Sequence, residues 1–347
     1  MIGLVGSVVL LAGLADGRTD MGGAMDPARP FVHALVRQEP PKLDADGVGD
    51  VVAAAPFNEA LLSWNVDVPA DGGFVIDARV RANRDDGTPG PWSPWLRFGR
   101  GGAVPATDAV TSFAGGAVDV DVFKSPSRWT AIQTRVTSFG DAPARVARLA
   151  LCLSDTTVER GSPTACKITP PPQGQRFEVP YLSQRAEDPK LASRVCSPTC
   201  VAMVLRYRGV ETTTREVARR AYDAEHDVYG NWPNAIQAAY SFGVPGYLTR
   251  ITDVQDARTI VSFGQPLIVS IGFEDGALRG SPMRSTKGHL IVLTGVDANG
   301  DFFVNDPAAE TAERGQCVYR AEDLERVWIQ RNGVAYVLLE RPQQAAR

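Results

Sequence analysis

The first half of the chain alternates apolar and polar residues at every second position. Between about residues 57 and 153, three runs show this pattern: GFVIDARVRA, AVDVDVF and RVARLALCL. Such alternation is typical of strands in an antiparallel sheet with one solvated face. Turn-rich stretches such as DDGTPG and GRGG separate the runs. The pattern therefore predicts an all-β sandwich domain over residues 27–166.

A proline-rich stretch, KITPPPQGQR, interrupts this pattern at residues 167–176. Three consecutive prolines cannot donate to a strand ladder and favour an extended, semi-rigid chain. We expect a linker here and a second domain over residues 177–347. A length of 347 residues also favours two domains over one.

Helical signals come first in the second half. Ser197-Pro198 predicts a helix start, with serine as N-cap and proline at the first helical position, and Gly209 is placed to end the helix. Its apolar face would hold Cys200, Met203, Val204 and Tyr207. Two further helices are predicted in TTTREVARRAYDA and NWPNAIQAAYSFG.

Strand signals follow the helices. Four apolar runs have strand length: QPLIVSIG, GHLIVLTGVD, GDFFVNDPA and VAYVLLE. The residues DANG, at 297–300, predict a hairpin turn between the second and third runs. Helices followed by an antiparallel sheet define an α+β domain.

The net charge and the amino-terminal sequence indicate which partners are excluded and where the protein is located. A formal net charge of −4, with both signs mixed along the chain, gives no basic footprint for nucleic acid or an anionic membrane. The opening MIGLVGSVVLLAGLA has the length of a signal-peptide core. We expect a leader over residues 1–26, a secreted or cell-envelope protein, and no transmembrane segment in the mature chain.

Five cysteines need an explanation. Cys152 and Cys166 flank a polar loop, and export would allow a disulfide between them. Cys196 and Cys200 could be a metal or disulfide pair, two core thiols, or one catalytic and one packing thiol. The sequence contains no CxxC, HxxxH or HExxH pattern, which argues against metal, and a disulfide within one helix is geometrically poor. A thiolate is best stabilised at a helix N-terminus, so we expect Cys196 to be reactive and Cys200 to be core.

The three histidines are the candidates for a general base, which also needs a partner that orients it. His289 opens the run LIVLTGV, where a strand start would expose its side chain at the rim of a sheet. Asp306 ends the next strand, so the DANG hairpin would bring the two together. The alternatives are a surface histidine and a simple turn aspartate. Asn305 would point to the opposite face. Gln184, 12 residues before Cys196, could donate to an oxyanion.

Aromatic residues have two interpretations in each half. Trp92, Trp95 and Phe98, with Trp64, could form a platform for sugar rings, or could fill the sandwich core and cap its edge. Tyr229 and Trp232, in VYGNWP, could line a substrate cleft or pack between helices.

Taken together, VPYLSQ, CSPTCVAMVL, GHLIVLTGVD and GDFFVNDPA resemble the papain-like cysteine peptidases related to double-glycine leader peptidases. The resemblance covers about residues 177–340. It implies a papain-like fold in which a cysteine helix packs on an antiparallel sheet. It implies four roles: Gln184 for the oxyanion hole, Cys196 as nucleophile, His289 as base and Asp306 as orienting acid.

Two departures from that family stand in the cysteine helix, where Ser197 replaces a glycine and Cys200 replaces a residue that is often small or polar. The sandwich domain is not part of the family's core. The resemblance therefore does not imply that this protein shares the substrates of the leader peptidases. We expect a cysteine peptidase that needs no metal or cofactor and acts on a peptide or protein substrate. Alternatives are a transpeptidase or amidase with the same triad, or a non-catalytic envelope module whose sandwich binds a glycan or protein.

Overall fold

The computed structural model describes residues 33–106, 108–158 and 174–342. These residues divide into two compact units, 33–158 and 174–342. The predicted leader of residues 1–26 lies outside the described residues, as do Cys166 and residues 167–173 of the predicted linker.

The first unit is built from strands throughout its described residues. In chain order they are β1 His33–Gln38, β2 Val52–Asp67, β3 Gly73–Arg81, β4 Leu96–Gly102, β5 Ser112–Phe113, β6 Gly116–Asp119, β7 Val122–Phe139 and β8 Arg145–Ser154. All pair antiparallel in one sheet of order β1-β8-β2-β7-β3-β4, and β6 joins β5 to β7. The antiparallel all-β character predicted from the period-two pattern is confirmed. A division into the two sheets of a sandwich stays a prediction.

Alternate residues of these strands form one apolar core, as the period of a strand requires. Its members include Leu62, Trp64, Phe74, Ile76, Leu96, Phe98, Leu149 and Leu151. Trp64 and Phe74 meet edge to face, with ring centroids 6.3 Å apart. Two of the four aromatic residues in question, Trp64 and Phe98, are therefore core residues.

Trp92 and Trp95 lie elsewhere, stacked with arginines from the sheet. The Arg79 guanidinium lies 4.7 Å from the Trp92 ring and 4.4 Å from the Trp95 ring. Arg81 covers Trp92 at 4.5 Å, and Arg135 covers Trp95 at 4.6 Å. Each indole thus contacts two guanidinium groups, a favourable arrangement for its quadrupole. Because arginines already stack on both rings, the sugar-platform interpretation gains no support.

The second unit contains both helices and strands. The helices are α1 Pro189–Ala192, α2 Cys196–Tyr207, α3 Thr214–Ala221, α4 Trp232–Ser241, α5 Val254–Ser262, α6 Ala312–Gly315 and α7 Ala321–Leu324, with a 3-10 turn at Gln184–Ala186 and a π-helix at Glu325–Ile329. The strands are β9 Gln175–Arg176, β10 Gly246–Arg250, β11 Leu267–Phe273, β12 Thr286–Val296, β13 Phe302–Asn305, β14 Gln316–Tyr319 and β15 Val334–Leu338. They form one antiparallel sheet of order β10-β15-β11-β12-β13-β14, and β9 also pairs with β12.

The predicted helices and strands of this unit are present. Thr213 caps α3 in a full capping box with Glu216, and Asn231 caps α4. The DANG turn joins β12 to β13 through a hydrogen bond from the Gly300 N–H to the Asp297 carbonyl. The α+β assignment is confirmed, whereas α5, β10 and β14 had no clear signal in the pattern.

The start of α2 differs from the prediction. The helix begins at Cys196, and its N-cap is Val195, which makes no side-chain capping bond. Pro198 is the third helical residue, where its missing N–H still costs no intrahelical bond. The helix is also buried on all sides from Ser197 to Leu205, because it contacts β12, α3 and α4. A helix that is enclosed on all sides has no solvated polar face. The prediction of a single apolar face on this helix was therefore incomplete.

Candidate active site

Cys196 is the first residue of a buried helix and keeps part of its surface exposed. Its backbone N–H is one of the four at a helix start that have no partner within the helix. The next residue, Ser197, is anchored by its hydroxyl to the Tyr336 hydroxyl of β15 at 3.1 Å. The helix start is therefore fixed against the sheet at the residue that follows Cys196.

His289 and Asp306 are joined by the β12–β13 hairpin. The His289 Nε2 atom lies 2.8 Å from Asp306 Oδ1, and both side chains are buried. Asp306 directly follows β13, which pairs antiparallel with β12. Because Nε2 donates to Asp306, the other ring nitrogen, Nδ1, is the one available to a thiol. The side chains of Cys196 and His289 interact through a hydrogen bond.

The charges of these three groups support one another. Burial alone would raise the pKa of the Cys196 thiol, but the hydrogen bond and charge of His289 outweigh it and hold that pKa below its ordinary value. Burial opposes a charged His289, but Asp306 and Cys196 raise the pKa of its imidazole above the usual range. Despite burial, His289 keeps the pKa of Asp306 low. The arrangement favours a thiolate beside an imidazolium.

Asp306 and Asn305 point in different directions. The Asp306 Oδ1 atom also accepts the Ala308 N–H at 2.9 Å. The Asn305 amide instead donates to the Val179 carbonyl at 2.9 Å and contacts the Met203 sulfur of α2 at 3.7 Å. Of the two neighbours, Asp306 is therefore the one that contacts His289.

Cys200 lies one turn further along α2 and is fully buried. Its Sγ atom donates to the Leu290 carbonyl at 3.2 Å. Burial, together with the charges of Cys196 and Asp306, raises the pKa of this thiol well above its ordinary value. Cys200 is thus a neutral core thiol at physiological pH.

Gln184 lies in the 3-10 turn before α1 and is buried. Its Nε2 atom donates to the Ala192 carbonyl at 2.6 Å, four residues before Cys196. A carboxamide nitrogen carries two hydrogens, so one remains for another acceptor. The Gln184 backbone N–H donates to the Pro307 carbonyl at 2.9 Å, which ties this turn to the segment that carries Asp306.

Tyr229 is connected to the loop that precedes Cys196. The Arg194 guanidinium lies 5.2 Å from the Tyr229 ring and also binds Asp227. Tyr222 packs on Tyr229 with ring centroids 4.8 Å apart. Trp232 begins α4 and is half-buried. A substrate-binding role for Tyr229 and Trp232 stays a prediction.

The other two histidines and Cys152 lie outside this arrangement. His226 is an exposed residue that bonds to Asp223 at 2.8 Å. His33 contacts the Ser154 hydroxyl at 2.7 Å within the first sheet, a partner that the sequence did not indicate. Cys152 is buried in β8, and the disulfide with Cys166 stays a prediction. Within the described part of the chain, no group of three or more acidic, histidine or cysteine side chains could hold a metal ion.

Tyr319 contacts the site but was missed by the sequence reasoning. Its hydroxyl donates to Asp306 Oδ2 at 2.6 Å, and its ring is buried. It lies on β14, for which the sequence pattern gave no clear signal.

Residues 176–336 match the sequence model of a family described as the Peptidase_C39 like family. The second unit thus resembles the papain-like C39 peptidases, and the match implies cysteine peptidase activity. No curated protein matches the chain.

Solved structures include two similar peptidase domains. One is a double glycine motif protease from an AMS/PCAT transporter in complex with the leader peptide, with 22% identity, a TM-score of 0.35, and coverage of 50% of this chain and 98% of that chain. The other is the peptidase domain of Streptococcus ComA, a bifunctional ABC transporter, with 17% identity, a TM-score of 0.32, and coverage of 43% and 93%. In the described residues of the present chain, no helix is long and apolar enough to cross a bilayer.

Proposed function

We propose that the second unit is a cysteine peptidase that uses Cys196 as nucleophile, His289 as general base and acid, and Asp306 as the group that orients His289. The observation that carries the proposal is the continuous contact from the Cys196 thiol through His289 to Asp306. A nucleophile, a base within hydrogen-bond reach and a third group that fixes the base are the elements that acyl transfer requires.

The acylation step follows from this arrangement. His289 holds the proton of the Cys196 thiol, and the thiolate attacks the carbonyl carbon of a peptide bond. The C–N bond then breaks as the imidazolium returns its proton to the leaving amine. Asp306 keeps Nε2 protonated and stabilises the imidazolium, so that Nδ1 is the atom that exchanges the proton.

The tetrahedral intermediates need hydrogen-bond donors for their oxyanion. The unpaired Cys196 N–H at the start of α2 is one donor, and the second hydrogen of Gln184 Nε2 is the other. Its first hydrogen is bound to Ala192, so the amide orientation is set before the substrate arrives. Water then attacks the acyl-enzyme, with His289 as base, and releases the acid.

The substrate class is a peptide or protein. The bound leader peptide in the AMS/PCAT structure supports a peptide ligand in this unit as well. Tyr229, which stacks with Arg194 in the segment before Cys196, and Trp232, at the start of α4, are proposed to line the cleft.

The test is incubation of the full chain with a mixture of peptides, with and without an added amine, and identification of products by mass. Hydrolysis products that disappear in Cys196→Ala and persist in Cys200→Ala support a peptidase. Amine adducts in place of free acids would assign the same triad to a transpeptidase or amidase. Intact peptides with the wild-type chain under all conditions contradict both assignments.

We also propose that the chain is exported and that the first unit is a sandwich closed over one core. The apolar opening of the sequence and the convergence of alternate residues from five strands on one cluster support these two points. Expression with the native amino terminus, followed by terminal sequencing of extracellular protein, tests export. Alkylation of Cys152 before and after reduction tests its disulfide with Cys166.

A further inference from the structure

The second oxygen of the Asp306 carboxylate is held by a residue that the mechanism above does not use. Tyr319 donates its phenol hydrogen to Asp306 Oδ2 at 2.6 Å. His289 Nε2 and the Ala308 N–H contact the other oxygen, Oδ1. The carboxylate is therefore bound on both oxygens, by β12 on one and by β14 on the other.

This contact has the features of a strong hydrogen bond. A hydroxyl that donates to a carboxylate at this distance forms a charge-assisted bond, and water does not compete because both side chains are fully buried. Burial and the charge of Asp306 raise the pKa of the Tyr319 phenol far above its ordinary value. Tyr319 therefore keeps its proton, and remains a donor, across the pH range in which proteins stay folded.

The contact continues to a loop beside the site. The Ser281 side chain interacts with the Tyr319 phenol. Ser281 belongs to the loop between β11 and β12, at residues 274–285. Arg279 anchors this loop to Asp323, with hydrogen bonds of 2.8 and 3.0 Å to its two oxygens. A row of side chains thus leads from this loop through Tyr319 and Asp306 to His289.

We propose that Tyr319 is a positioning residue, which holds the Asp306 carboxylate ionised and directed at His289. The inference rests on the proposed peptidase function, in which Asp306 orients the base. Tyr319 itself touches neither the nucleophile nor a substrate carbonyl in this mechanism. Its effect passes through Asp306.

Several titratable groups face Asp306. They are His289 from β12, Tyr319 and Cys317 from β14, Tyr181 from the segment before the 3-10 turn, and Cys200 from α2. Burial raises the pKa of both thiols and both phenols, so these four groups are neutral in acid. In acid, the ionisation of Asp306 therefore depends on the charge of His289 and on the hydrogen bonds from Tyr319 and the Ala308 N–H.

The sign of the expected effect follows from that bond. Tyr319 stabilises the ionised carboxylate, so its removal raises the pKa of Asp306. Asp306 then takes up a proton at a higher pH, the imidazolium loses its partner, and the Cys196 thiolate loses its counterion. The acid limb of the thiol's reactivity should move to higher pH.

The test compares Tyr319→Phe with the wild-type full chain. The rate constant for alkylation of Cys196 by iodoacetamide is measured by mass spectrometry from acid to neutral pH. A hydrogen bond to a charged group predicts an upward shift of the acid limb by about one pH unit. We expect kcat for peptide hydrolysis to fall about 10-fold with KM unchanged, since substrate contacts are intact. Tyr247→Phe, a buried tyrosine on β10 at the far edge of the sheet, is the control with an unchanged profile.

An acid limb and a kcat equal to those of the wild type in folded Tyr319→Phe overturn the inference. If Tyr319→Phe lacks the circular dichroism spectrum of the native fold, Ser281→Ala is measured in its place. Because Ser281 interacts with the Tyr319 phenol, its loss should move the acid limb of Cys196 alkylation to higher pH by a smaller amount. No shift in Ser281→Ala then overturns the inference. Slow alkylation of Cys196 in the wild type would instead contradict the proposed function itself. If Cys196 is alkylated fast in the wild type and the variants show the same acid limb, the result contradicts the role of Tyr319 but not the proposed function.

Discussion

Cys196 and Cys200 lie one turn apart on the same helix but in opposite electrostatic environments. The Cys196 thiol meets His289, which lowers its pKa. The Cys200 thiol meets the Leu290 carbonyl, and burial raises its pKa. Both thiols lie on the same helix, so the helix does not distinguish them. One is reactive and the other structural because Cys196 contacts His289 and Cys200 contacts the Leu290 carbonyl.

The same substitution at these two positions should have opposite results. Cys196→Ser removes the nucleophile, and we expect peptide hydrolysis to fall below detection with little change in stability. Cys200→Ser keeps a donor for the Leu290 carbonyl, so activity should stay within about 2-fold of the wild type, and unfolding free energy should fall by about 1 kcal/mol. Hydrolysis rates and urea unfolding of both variants check this. Loss of activity in Cys200→Ser alone would reverse the assignment.

Asp306→Asn tests the charge on the partner of His289. Without the carboxylate the pKa of His289 falls and the pKa of Cys196 rises toward the ordinary thiol value. At neutral pH we expect alkylation of Cys196 to slow about 10-fold, and to recover as the pH rises above about 8.5. Asp223→Asn, which changes the carboxylate of the exposed His226–Asp223 pair outside the site, is the matched variant in which the pH profile should not move. An unchanged profile in Asp306→Asn would exclude Asp306 from the site.

Gln184→Ala should separate thiol ionisation from stabilisation of the oxyanion. Loss of one oxyanion donor lowers kcat by about 100- to 1000-fold in acyl-transfer enzymes. Alkylation by iodoacetamide forms no oxyanion, so its rate at Cys196 should be the same as in the wild type. A parallel fall in both rates would show that Gln184 supports the fold of the site rather than the intermediate.

The stacked tryptophans should stabilise the first unit and should have no effect on the reactivity of Cys196. Trp95→Ala removes two cation–π contacts and half-buried apolar surface, and we expect a loss of about 1–3 kcal/mol in its unfolding free energy. Thermal unfolding followed by tryptophan fluorescence measures this. Alkylation of Cys196 in the folded variant serves as the control and should be unchanged. Unaltered stability would show that the stacked arginines hold this segment without the indole.

Local patterns predicted much of the second unit. Thr213 and Asn231 at helix starts, and DANG between two apolar runs, each specify an element through contacts within a few residues. The approach of His289 and Asp306 follows from that hairpin, because two paired strands bring the start of one near the end of the other.

The features that the sequence did not predict depend on contacts far apart in the chain. Tyr319 reaches Asp306 from a short strand whose apolar pattern is too brief to detect. The anchoring of Ser197 to Tyr336 joins residues 139 positions apart. Stacking of Trp92 and Trp95 with arginines requires knowledge of which strand face they cover. The burial of α2 on all sides likewise reflects the elements packed around it.

The pH dependence of alkylation at Cys196, in the wild type and in His289→Ala, tests the central claim most directly. An ordinary thiol is ionised in about 1 part in 300 at pH 6, so a thiolate paired with His289 should react far faster than a free thiol there. We predict fast alkylation at Cys196 on the acid side of neutrality, slow alkylation at Cys200, and loss of the fast reaction in His289→Ala. Equal, slow alkylation of both cysteines in the wild type, or a fast reaction that survives in His289→Ala, would contradict the account.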